Sequence, residues 1–90
     1  MIKIGGDIII FKKDIVGIFD FEEFTSSTEG QEFFRELKKN KKVENADKDK
    51  IPQSVILCVD EAGNEMYYLS PISISGLRKG QYGDNLNADL

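Results

Sequence analysis

Apolar and polar positions alternate from the start of the chain. Ile2 and Ile4 flank Lys3, and after Gly5-Gly6-Asp7 comes the run Ile8-Ile9-Ile10-Phe11. β-Branched residues at a period of two predict strands, and the glycine pair supplies positive-φ positions for a tight turn between them. Lys12-Lys13-Asp14 leads into a third such run, Ile15-Val16-Gly17-Ile18-Phe19. Three successive strands predict a meander, with the lysine pair at a solvated connection.

The period then changes. Thr25-Ser26-Ser27-Thr28 is a capping tract, and Ser26 with Glu29, or Thr28 with Gln31, has capping-box spacing. At about 100° per residue, Gly30, Phe33, Phe34 and Leu37 share one helical face, which Asn40 closes. Arg35, Lys38, Lys39 and Lys42 form a stripe on the opposite side, flanked by Glu29, Glu32 and Glu36. That stripe has two readings. It is a basic surface for a negative partner, or it is the ordinary preference for acids in a first turn and bases in a last, with Glu32–Arg35 and Glu36–Lys39 paired at i,i+3.

Residues 43–53 are polar and end in Pro52, which predicts a loop. Two strands follow, Ser54–Asp60 and Glu65–Ser70, joined by the turn residues Glu61-Ala62-Gly63-Asn64. Alternation puts Tyr67 and Tyr68 on opposite faces, one in the core and one free to stack on a base or fill a subunit interface. Pro71 or Ser73 opens a short helix from Ile74 to Lys79, and Gly80 ends it. Residues 80–90 lack periodicity and read as a mobile tail. The order β-β-β-α-β-β-α describes a small single α+β domain over residues 1–79, an antiparallel sheet of about five strands with one main helix.

Charge narrows the function. The net charge is −4, with eight residues of each sign in 1–43 but four basic against eight acidic in 44–90. Total charge does not attract nucleic acid, so a local patch must do so. The chain has no histidine and one cysteine. Neither a Ser-His-Asp triad nor a His-bearing zinc site can be assembled, and Cys58, inside Val55-Ile56-Leu57-Cys58-Val59, reads as a small buried hydrophobe. Asp47-Lys48-Asp49 and Asp60–Glu65 lack the ligand and glycine spacing of an EF-hand. Glycine-rich nucleotide motifs are missing, and Gly5-Gly6-Asp7 stands without the residues that would extend it into a cyclase signature. Asp20, Glu22 and Glu23 form either an acid pair or a solvated strand end. The expectation is a protein without enzymatic activity, cofactor, metal or small-molecule substrate. No stretch is long and apolar enough for a membrane span, and the N-terminus lacks the layout of a secretion signal, which reads as cytoplasmic.

Four separated segments then match a family in order and spacing: Gly5–Ile10, Lys13–Asp20, Ile51–Leu57, and Tyr68–Ser73 with Leu77-Arg78-Lys79. Over residues 1–79 the chain resembles the RemB branch of the bacterial extracellular-matrix regulatory proteins. The resemblance implies a cytoplasmic relative of RemA, the DNA-binding activator of matrix genes, with a fold similar to LytTR domains. It also implies a homo-oligomeric ring in which copies of a small basic surface add up to a DNA-binding face. Where RemA-type chains carry arginines before the fourth strand, this one has Lys50-Ile51-Pro52-Gln53, and Lys12-Lys13 lies near the second-to-third strand connection. Lysine holds a phosphate but lacks the bidentate fork that reads guanine. The expected nucleic-acid residues are Lys12, Lys13 and Lys50 with the stripe Arg35, Lys38, Lys39 and Lys42. The alternative is an oligomeric protein-interaction scaffold without nucleic acid, in which the basic residues are dispersed among acids.

Overall fold

The third apolar run does not join the first two. In the computed structural model, which describes residues 1–85 and the side chains of 1–79, β1 (Ile2–Gly5) and β2 (Ile8–Ile10) form a two-stranded antiparallel sheet of their own. A 3-10 turn at Lys12–Asp14, closed by the Asp14 N–H donating to the Phe11 carbonyl at 3.0 Å, breaks the ladder. β3 (Ile15–Asp20) then enters a second sheet of order β3-β5-β6-β4, with β4 at Val43–Asn45, β5 at Ser54–Val59 and β6 at Glu65–Ser70. The expected meander is thus split, while the α+β class with a mostly antiparallel sheet stands.

The reason lies in β5. Its continuous apolar run makes both faces of the larger sheet hydrophobic, and both must be covered. On one face Val55, Leu57, Tyr67 and Leu69 pack against Leu37, Phe34, Phe21 and Phe24 from the helices. On the other, Ile56, Cys58, Tyr68 and Ile18 pack under Ile4 and Ile10 of the hairpin and Leu77 of the last helix. Extending the sheet with β1 and β2 would have left that second face wet. The expectation that one tyrosine stays free at the surface therefore fails, because both faces are covered: Tyr67 is buried beneath the helices and Tyr68 half-buried beneath the hairpin.

The hairpin's position depends on its glycines. Gly5 and Gly6 have φ of 137° and 50°, and a Cβ on Gly6 would collide with the carbonyl oxygen of Ala46. That close backbone approach seats the turn on the segment after β4. This segment was expected to be loop; instead Val43, Glu44 and Asn45 pair in parallel with Tyr67, Tyr68 and Leu69. The pairing is long-range, so no local pattern signals it.

Two helical details also differ from expectation. Asp20 caps a four-residue helix, α1 (Phe21–Phe24), its carboxylate accepting from the Glu23 N–H at 3.0 Å. The acids Asp20, Glu22 and Glu23 are the start of a helix and not a bare strand end. The next helix, α2 (Thr28–Lys39), is capped by Ser27, whose Oγ accepts from the Gly30 N–H at 2.9 Å, in place of Ser26 or Thr28. Ser26 instead donates to the Glu23 carbonyl, closing α1. Leu37 is buried and Gly30 and Phe34 are half-buried as expected, but Phe33 sits on the rim, 47% exposed. The last helix, α3 (Ile74–Asn85), continues past Gly80. Of the tail expected over 80–90, residues 86–90 lie outside the described residues.

Candidate nucleic-acid interface

Basic residues crowd where α2 ends. Arg35, Lys38, Lys39 and Lys41 are exposed and Lys42 is half-buried. The chain leaves the helix through a left-handed residue, Lys41, at φ 58°. The Lys41 N–H donates to the Lys38 carbonyl at 3.1 Å, and the Lys42 N–H donates to the Leu37 carbonyl at 2.8 Å. This is a Schellman cap with lysine in the position that usually belongs to glycine. The cap turns the backbone sharply into β4, so Lys41 and Lys42 stand beside the last helical turn and do not continue its stripe.

One member of the cluster is braced. The Lys38 ammonium lies 5.3 Å from the centroid of the Phe34 ring, within cation–π range. Phe34 in turn meets Phe21 edge-on at 5.7 Å between centroids. The i,i+3 ion pairs expected between Glu32 and Arg35 and between Glu36 and Lys39 do not form among the described residues.

The remaining expected cations are placed by strand register. Ile15 pairs with Cys58, and Val43 pairs with Tyr67, so the residues before β3 and before β4 reach the same end of the sheet. Lys12-Lys13 and Lys42 share that end, on opposite sides of β5 and β6, which at about 4.8 Å per strand puts them on the order of 14 Å apart. The β5–β6 turn lies between them and is acidic, with Asp60, Glu61 and Glu65. Lys13 is drawn to it: its ammonium sits 3.1 Å from Glu61 Oε2, both side chains well exposed. Lys12 is half-buried on the same 3-10 turn. Lys50 lies at the other end, preceding Ser54, which pairs with Asp20 and Ser70. One subunit therefore brings Arg35, Lys38, Lys39 and Lys42 together, holds Lys12 and Lys13 across an acidic turn from them, and sets Lys50 apart.

That acidic turn is rigidly built. Asp60 accepts from the N–H groups of Ala62 and Asn64 at 2.9 Å each and from the Asn64 side-chain amide at 3.2 Å. Hydrogen bonds from Asn64, first its backbone N–H and then its side chain, hold the Asp60 carboxyl below its ordinary value. The carboxylate is engaged in shaping the turn and stays negative beside Lys13.

The family model for the RemA-like proteins, described as extracellular matrix regulatory protein A-like, matches residues 1–79. The chain belongs to the RemA-like family. The match takes in every element from β1 through the start of α3. No curated protein matches the sequence. Membership in a RemA-like family gives the basic end of α2 a context in extracellular-matrix regulation.

Chemically, the α2 end offers ammonium and guanidinium groups to anions, with the exposed carboxylates of Glu32 and Glu36 on the same helix. Sequence reasoning missed Lys41 because the helical projection, carried past the actual end of α2 at Lys39, kept Lys42 on the stripe and turned Lys41 away from it. The run Asn40-Lys41-Lys42 carried the signal: asparagine at a helix end marks the turn, and the residue after it is the one forced left-handed. Among the described residues no helix is long and apolar enough to cross a membrane.

Proposed function

We propose that this chain is a cytoplasmic regulator of extracellular-matrix genes, of the RemB-like branch, that binds DNA phosphates as a homo-oligomer. The contacting surface is the end of α2 with its cap, Arg35, Lys38, Lys39, Lys41 and Lys42. One observation carries the proposal: a left-handed lysine closes α2, so that Lys41 and Lys42 follow directly on Arg35, Lys38 and Lys39 at one helix end in a chain of net charge −4. Non-glycine residues in that conformation cost free energy and concentrate at functional positions. A few phosphate contacts per subunit are weak, and repetition around an assembly multiplies them. Lysines without a bidentate fork suit contact with the DNA backbone more than base reading.

The test is a fluorescence-anisotropy titration of a labelled duplex at several salt concentrations. Affinity should fall steeply as salt rises, and Lys38→Glu with Lys39→Glu should abolish retention while the oligomer persists. Absence of binding at about 50 mM salt, where phosphate contacts are strong, would reject DNA as the ligand.

A scaffold without nucleic acid is the second reading, favoured by the Lys13–Glu61 pair and the acidic turn that separates the cations. Under it, the Lys38→Glu, Lys39→Glu protein keeps its regulatory activity in cells.

A further inference from the structure

The aromatic cluster under the helices does not end in the core. Between ring centroids, Phe24 stands 5.7 Å from Phe19 and 6.0 Å from Phe33, and Phe33 meets Tyr67 edge-on at 5.9 Å. Tyr67 is buried and Phe24 half-buried, but Phe19 and Phe33 are 40% and 47% exposed. The rings form a connected path from the interior to the surface, and joined apolar area of this kind marks an interaction site where single exposed residues do not. Beside Phe19 and Phe24 lies an open hollow of about 340 Å³, lined also by Ile18, Asp20, Glu23 and Ile74.

The surroundings of these rings are acidic. Glu29 and Glu36 sit one turn before and one turn after Phe33 on α2, and at about 100° per residue both project within about 60° of it. Both are exposed. Glu36 lies near the C-terminal end of α2, where the helix dipole disfavours a carboxylate, and among the described residues no base of the helix pairs with it. Its position is not explained by the stability of the helix. Glu23 completes the rim at the hollow, which no lysine or arginine lines. Arg35 projects from the far side of α2.

Charge selects the occupant. Exposed rings rimmed by carboxylates attract cations, because the ring quadrupole and the carboxylates act in the same direction. The molecule already uses half of this chemistry where the Lys38 ammonium stands 5.3 Å from the Phe34 ring. Phosphates are repelled here, and a purely apolar partner would leave the carboxylates without a counterpart. A second copy of this chain fits poorly, because its basic end, from Arg35 to Lys42, carries no exposed apolar side chain to enter the hollow. We propose that the Phe19–Phe24–Phe33 face, with Glu23, Glu29 and Glu36, docks a basic segment of a different protein in which arginine or lysine alternates with apolar residues. An apolar side chain fills the hollow, and a cation lies over Phe33 between Glu29 and Glu36. The inference requires neither DNA binding nor self-association.

Fluorescence anisotropy with a labelled synthetic peptide that alternates arginine and leucine, followed by amide chemical-shift mapping on the full chain, tests it. The peptide should bind and shift the amides of Phe19, Glu23, Phe24 and Phe33. An arginine-only peptide of equal charge should bind roughly tenfold more weakly, and Phe33→Ala should weaken the alternating peptide by roughly the same factor. Glu29→Gln with Glu36→Gln, which leaves the rings in place, should weaken it roughly threefold or more. Thermal melts check that both variants fold. Phe33→Ala should keep the wild-type mass by light scattering and the wild-type titration with duplex DNA. Shifts confined to another acidic surface such as the β5–β6 turn, equal affinity for the arginine-only peptide, or unchanged binding by the folded variants would overturn the docking face and leave the DNA reading as it stands. A fall in mass on Phe33→Ala would overturn it in favour of a second copy as the occupant. A wild type that binds the peptide at these residues but no DNA would reject the DNA reading and support this face.

Discussion

Ser70 Oγ donates to the carbonyl oxygen of Ile4 at 2.6 Å, joining two residues 66 positions apart. Both are fully buried, and the bond ties the β1–β2 hairpin to the larger sheet. The same hydroxyl accepts from the Ile72 N–H at 3.0 Å, so one side chain holds the hairpin, β6 and the approach to α3. Ser70→Ala strands both the Ile4 carbonyl and the Ile72 N–H in the interior. Leaving such groups unpaired costs about 1–3 kcal/mol, and urea unfolding should show that loss.

Lys41 gives an effect of opposite sign. A non-glycine residue in the left-handed region costs roughly 1 kcal/mol, and the Schellman hydrogen bonds come from the backbone alone. Lys41→Gly should therefore raise stability by about 0.5–1 kcal/mol in denaturant melts. If the α2 end binds phosphates, the same substitution should weaken DNA binding and flatten its salt dependence.

Gly30 inverts a common rule. Alanine normally stabilises a helix relative to glycine by about 1 kcal/mol. Here a Cβ would strike the carbonyl oxygen of Phe24, because α1 and the start of α2 cross at that point. Gly30→Ala should destabilise by about 1–3 kcal/mol, as overpacking does, and thermal unfolding will show the sign.

Cys58 reports on the hairpin-covered face. Burial first, and then the negative charge of Asp14, raises its thiol from 9.0 to about 11. In the unfolded chain the thiol ionises near its ordinary value, so the native state retains its proton to higher pH. Stability from this group is complete below pH 9.0 and declines as pH rises toward 11. Alkylation of the native protein at pH 8 should be slow and should accelerate with denaturant.

Asp60 acts at the other end of the scale. Its hydrogen bonds favour the charged form and hold it below 3.8, so its contribution is present above that value and is lost as pH falls through the lower folded one. A carboxyl-detected NMR titration should place its midpoint below 3.8, and Asp60→Ala, which removes the acceptor of the Ala62 and Asn64 N–H groups, should loosen the β5–β6 turn. The direct sign is broadening or loss of the Ala62 and Asn64 amide signals in that variant.

Local patterning carried much of the fold. The alternation of Ile2, Lys3 and Ile4, the glycine turn, the helix ending at Asn40 and the Glu65–Ser70 strand all recur in the structure, because each depends on contacts a few residues apart. The cap of α2 was legible only to within one residue: Ser26, Ser27 and Thr28 all qualify chemically, and the crossing of α1 over Gly30 selected Ser27. The four-residue α1 was hidden because it is too short to show a period.

The basic stripe was legible as a helical face and incomplete as a candidate site. Arg35, Lys38 and Lys39 follow from helical angles, while Lys41 enters only through the αL cap. Lys12, Lys13 and Lys50 appeared equivalent in a linear reading, and register put the lysine pair and Lys50 at opposite ends of the sheet.

What the sequence by itself determined was the set of local elements, the single-domain α+β class and the family. The tertiary structure decided the rest: that Ile15–Asp20 leaves the hairpin to border another sheet, that Val43–Asn45 becomes a strand, and that Lys13 finds Glu61. The physical reason is that periodicity records which side of an element avoids water but not which distant segment covers it. β5 is apolar on both sides, and only the assembled chain resolves that demand, with helices on one face and a folded-back hairpin on the other.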